Sequence, residues 1–171
     1  MSGMIWAATP KVMEKGDVIH IEFDANFMGY AAQFNQPFSL GEPSKEWTDI
    51  FKLDIESVNS GLKILKPGIT VGELNEALAA PILKAGYRQL NPNFHGLGLS
   101  FEEPLSGFPG QPAYQAKSDR VLKPNMVLEF EPPVISPDFK RGCTLGCPTL
   151  ITDTGYRFLA KSWKPEVKII Q

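Results

Sequence analysis

Histidine and cysteine are scarce, with two of each in 171 residues. His20 and His95 lie far apart, and Cys143 and Cys147 sit four apart near the C-terminus. A zinc ribbon needs more ligands than that, at closer spacing. Two reduced, buried thiols in a cytosolic protein are expected, with a short-loop disulfide as the alternative. Neither sign of charge is in excess. The formal net charge is −2 and the pI near 5.7, so bulk charge attracts neither nucleic acid nor an anionic membrane, and no partner of either kind is expected. No apolar run approaches the length that spans a bilayer. Met1-Ser2-Gly3-Met4-Ile5-Trp6 lacks the basic region and apolar stretch of a secretion signal, so a cytoplasmic location is expected. Internal repeats and low-complexity segments are also lacking.

What is present is ordinary globular composition: 43% hydrophobic and 21% charged residues exclude disorder and suit one domain over residues 1–171. Fifteen Pro and fifteen Gly predict irregular loops between short elements. Residues 18–27 alternate with period two, Ile19, Ile21 and Phe23 on one face and His20, Glu22 and Asp24 on the other, which predicts a strand. Tyr30 to Leu40 is its expected antiparallel partner.

A helix is expected from the N-cap Ser44, with Trp47, Phe51, Ile55, Val58, Leu62 and Leu65 as its apolar stripe and Pro67-Gly68 as its stop. A second carries the capping box Thr70-Val71-Gly72-Glu73 and the stripe Val71, Leu74, Leu78 and Ile82. Pro81 should kink it and Gly86 end it. Extended segments are expected at His95 to Phe101 and Met126 to Val134, the latter broken by Pro132-Pro133. Thr149 to Thr152 and Tyr156 to Leu159 should form a hairpin around Asp153-Thr154-Gly155. Strands, two helices and then strands predict an α/β fold of the α+β type, helices covering one face of a mostly antiparallel sheet.

Motifs follow one another in a recognisable order. Lys15-Gly16-Asp17-Val18, Gly29-Tyr30, Leu65-Lys66-Pro67-Gly68-Ile69-Thr70 with Glu73, and Gly86-Tyr87 come first. His95-Gly96-Leu97-Gly98-Leu99, Leu122-Lys123-Pro124-Asn125-Met126-Val127, Glu131-Pro132 and Thr152-Asp153-Thr154-Gly155 come after them. From about residue 14 to 160 the chain resembles the family of methionine aminopeptidases, Xaa-Pro dipeptidases and creatinase. The resemblance implies the pita-bread fold, here truncated at its N-terminus: the first helix pair and strand of the family domain should precede residue 1.

Metallopeptidases of this family hold two metal ions with two Asp, one His and two Glu, an oxygen-rich set suited to hard cations. The resemblance places these ligands on Glu22, Gln33, His95, Glu131 and Gly146. Its bridging carboxylates fall on Gln33, which is neutral, and Gly146, which has no side chain. Close cations need bridging anions to offset their repulsion, so a dinuclear centre is not expected. A second family His falls on Glu102, and a substrate-side His would fall near Met4, so proton-transfer groups are missing as well. Residual metal candidates are Glu22, His95 and Glu131. The catalytic candidates are His95, Glu102 and Glu131, and the ligand-binding candidates are Glu22, Asp24, Gln33, Glu103 and Glu129. Phe101, Phe108 and Tyr114 are candidates to line a specificity pocket. Carboxylates crowding one imidazole predict either a single, weakly bound divalent cation or carboxyls that stay protonated at neutral pH. Three functions follow: a degenerate member binding a peptide or small molecule, a metal-independent or mononuclear hydrolase of C–N bonds, or an inactive fragment. With the first half of the sheet absent, an apolar face at Ile19, Ile21 and Phe23 and an open strand edge predict a homodimer.

Overall fold

The computed structural model describes residues 10–89, 92–99 and 119–171. Strands β1 (Val18–Phe27) and β2 (Tyr30–Leu40) form an antiparallel hairpin in the expected register, with Glu22 opposite Asn35 and Asp24 opposite Gln33. Its turn, Met28-Gly29, has positive φ at both residues, 51° and 86°. That backbone matches the twist of the two strands, and Gly takes it without strain.

Helix α1 (Lys45–Ile64) starts at Ser44, whose side chain accepts the Trp47 N–H. Ile50, Phe51, Val58 and Leu62 are buried. Helix α2 (Val71–Lys84) carries the reciprocal Thr70–Glu73 capping box. It runs through Pro81 for three more residues before Gly86, at φ 79°, turns the chain. The two helices cross closely at Gly61, where a Cβ would lie 2.5 Å from Leu78 Cδ2. Ser57 Oγ donates to the Leu78 carbonyl at 2.6 Å in the same crossing.

Seven short strands follow: β3 (Phe94–Leu97), β4 (Val127–Phe130), β5 (Val134–Ile135), β6 (Gly142–Cys143), β7 (Pro148–Ile151), β8 (Tyr156–Phe158) and β9 (Lys168–Ile170). The β7–β8 hairpin matches the sequence reading. The break in the 126–134 segment falls where Pro132 and Pro133 cannot donate to a ladder. The single mixed layer is three hydrogen-bonded groups, β1-β2-β9, β3-β4-β7-β8 and β5-β6. All pairs are antiparallel except β2 with β9, a strand the sequence pattern did not predict.

Strand β2 joins the groups. One edge pairs with β1; along the other, Ala31 N–H donates to Gly98 O and Asn35 bridges to Gly146, before β9 pairs at Phe38–Leu40. Phe94, Leu128, Phe130, Leu145 and Ile151 pack with Val58, Leu74 and Leu78 in the main core. The opposite face of the strands is left for the polar residues. Cys143 and Cys147 are both buried and unbridged, which removes the disulfide alternative. Among the described residues no helix is long and apolar enough to cross a membrane.

Candidate functional site

Period two puts His20, Glu22 and Asp24 of β1 on one face, beside Gln33 and Asn35 of β2. Gln33 Nε2 donates to Glu22 Oε1 in a short contact. The other amide atom, Gln33 Oε1, is buried and has no hydrogen-bond partner. His20 Nε2 lies 3.2 Å from Asn35 Oδ1; an amide oxygen only accepts, so the ring nitrogen donates. Burial lowers the His20 pKa, and the Asn35 bond opposes that shift.

Asn35 in turn bridges to Gly146, with N–H to O distances of 3.3 and 2.9 Å. A Cβ on Gly146 would stand 1.9 Å from Phe130 O and 2.3 Å from Glu129 Oε1. Its φ is not positive, so space and not torsion demands glycine here. The Glu129 carboxyl thus fills the volume that a side chain at 146 would need. Glu129 is fully buried, and its pKa is driven well up, chiefly by burial and next by the charge of Glu131. Asn35 lies against it through side chain and backbone. By strict hydrogen-bond geometry, however, both Glu129 oxygens and Asn35 Nδ2 remain without a partner.

Strand β3 pairs His95 directly with Glu129, and Glu131 follows two residues along, its N–H held by Asn93 O. His95 Nδ1 is 2.9 Å from Gly96 O. A carbonyl accepts, so Nδ1 carries the proton and Nε2 is the nitrogen that faces Glu131 Oε1, at 3.6 Å. Burial, and then the charges of Glu22 and Asp24, push Glu131 up to about 8. Those charges bring the two hairpin acids near Glu131.

The structure therefore gathers Glu22, Asp24, Gln33, His95, Glu129 and Glu131. Glu102, Glu103, Phe101, Phe108 and Tyr114, together with Met4, lie outside the described residues. Asn35 and His20 belong to the cluster although the sequence reading gave neither a binding role. Their signal was the strand alternation, which already set His20 beside Glu22. Among the described residues no three His, Cys, Asp or Glu side chains are grouped as metal ligands.

A family model described as metallopeptidase family M24 matches residues 2–157. The uncharacterized peptidase YqhT of Bacillus subtilis is 27% identical over 159 residues, which cover 92% of this chain and 43% of that protein. A Xaa-Pro dipeptidase of Pyrococcus furiosus is 27% identical over 157 residues, 91% of this chain and 43% of the relative. Among solved structures, a dipeptidase of Pyrococcus horikoshii superposes with a TM-score of 0.81 at 25% identity, covering 94% of this chain and 43% of that one. An X-Pro aminopeptidase of Thermotoga maritima gives 0.80 at 28%, covering 95% and 44%. The chain spans about two fifths of the length of these relatives.

Proposed function

The chain belongs to metallopeptidase family M24, and from that premise we propose that its cleft binds a peptide or small amide without the family's dinuclear metal centre. One observation carries the reading: the position of the last family ligand, Gly146, is packed against Phe130 O and Glu129. No carboxylate can enter there without moving a backbone. The other bridging position supports it too, since Gln33 turns an N–H donor toward Glu22, the opposite of what a metal ligand presents. The residues present do not fit a pair of metal ions. Present instead are a buried imidazole and flanking carboxyls, which suit the recognition of polar ligands.

Elemental analysis of the purified protein tests this. The expected content is less than one equivalent of transition metal, and two equivalents of manganese, cobalt or zinc would overturn the reading.

A further inference from the structure

We propose that Asp54 and Cys143 form a proton-held latch: while the Asp54 carboxyl keeps its proton, helix α1 stays closed on the segment 143–146, and loss of that proton releases the segment. The latch is independent of what the cleft binds. Asp54 lies on the buried face of α1 with Ile50, Phe51 and Val58, and it is fully buried. Cys143, equally buried on β6, donates its S–H to Asp54 Oδ2 at 3.3 Å. The Leu145 N–H also lies toward the carboxyl, yet Asp54 Oδ1 has no hydrogen-bond partner. Around Cys143 the packing is apolar: Ile50 and Phe51 of α1, Ile82 of α2 and Val134 of β5, with Tyr87 at the edge. Among the described residues no lysine, arginine or histidine is ion-paired with Asp54.

A thiol is a weak donor, and one backbone N–H beside it does not replace the water that a carboxylate loses here. Burial pushes the Asp54 pKa well up, against the smaller pull of Cys143 and Leu145. Burial, and then the charge of Asp54, push the Cys143 thiol up as well. Both partners therefore hold their protons while the segment is closed. An Asp54 opened to water returns to the ordinary value of 3.8 and releases its proton. The closed state binds a proton that the open state lacks, so the latch is firmest in acid and weakens as pH rises. Opening gains up to about tenfold per pH unit from this one group, until the closed form ionises too. Gly146 ends the segment and exchanges hydrogen bonds with Asn35, so the release reaches the edge of β2.

The test is alkylation of the full chain by iodoacetamide from mildly acidic to mildly alkaline pH, read for each cysteine by mass spectrometry. Dividing by the rate in urea at the same pH removes the ordinary ionisation of a thiol and leaves the protection given by the fold. Cys147, buried in the main core, is the internal control. Protection of Cys143 should fall at least tenfold across the range, and that of Cys147 at least threefold less. Asp54→Asn keeps an oxygen to accept the thiol S–H and has no proton to lose. With circular dichroism showing a folded chain, its Cys143 protection should no longer depend on pH in this way. Cys143 protection that is constant with pH in the parent chain overturns the latch. An equal fall at Cys147 also overturns it, since the whole core would then be opening. Those two outcomes are read on the parent chain and decide the matter even where the variant does not fold. A folded Asp54→Asn chain that keeps the slope shows that another group drives the opening, and the inference falls.

Discussion

Gly146 and Glu129 compete for one volume. A methyl group at 146 would overlap the Phe130 carbonyl and the Glu129 carboxyl, at 1.9 and 2.3 Å. A carboxylate end can rotate away, but a backbone carbonyl held within the strand cannot. Gly146→Ala is therefore expected to lower unfolding free energy by about 3 kcal/mol, measured by urea denaturation. A loss under about 0.5 kcal/mol, the usual effect of a surface substitution, would show that the strand yields and that glycine is not required.

Glu131 sets a pH dependence whose sign follows from its environment. The unfolded carboxyl titrates near 4.5, while the folded one is held up to about 8 by burial and by Glu22 and Asp24. The folded state thus keeps a proton that the unfolded chain has released. Its contribution to stability is full below pH 4.5, declines between 4.5 and about 8, and is absent above. The slope can reach ~1.4 kcal/mol per pH unit from this group. Glu131→Gln removes the titration, so the variant should gain on the parent protein as pH rises through that window. Parallel stability curves would exclude the shifted carboxyl.

At the scale of elements, the α1–α2 crossing depends on Gly61. There the helices approach until Leu78 takes the space a Cβ would need, 2.5 Å from Cδ2 and 2.9 Å from Cγ. Helix propensity alone favours Ala over Gly by about 1 kcal/mol. Overpacking costs about 1–3 kcal/mol, and Leu74 Cδ1 at 3.3 Å leaves Leu78 little room to retreat. Gly61→Ala should therefore destabilise by up to about 2 kcal/mol net, read by thermal or urea unfolding. Stabilisation would mean that the crossing opens at little cost. The strands obey a different logic. Each is short, and β2 holds them together by pairing with β1, Gly98, Gly146 and β9 in turn.

For the whole molecule, the exposed apolar residues gather at the far end of the β1–β2 hairpin. Phe27, Met28 and Leu99 are 79%, 88% and 83% exposed, with Phe23 and Tyr30 about half exposed. Ile19 and Ile21, expected to form an open face, are instead partly covered. Strand β1 has no second neighbour among the described residues. An open edge beside an apolar patch favours pairing with another chain, and we propose a homodimer. Light scattering at micromolar concentration should return twice the chain mass, whereas a clean monomer would sink this reading.

The sequence by itself determined what depends on periodicity and local chemistry. The β1–β2 hairpin, the capped starts of α1 and α2, and the β7–β8 hairpin were legible because alternation, a 3.6-residue stripe, a capping Ser or Thr and a turn each act within a few residues. The same alternation placed Glu22 with Asp24 and Glu129 with Glu131. Tertiary structure decided the rest. That Asn35 meets Gly146, and that Glu129 swings into the space beside it, depends on which distant segments share an edge with β2. Strand β9 escaped notice for that reason too, since three residues carry no period of their own. Gln33 and Gly146 could be read as losses, one residue at a time. Only the packed strands show that the volume a side chain at 146 would need is held by Phe130 O and the Glu129 carboxyl of the neighbouring strand, because close packing leaves no such space empty.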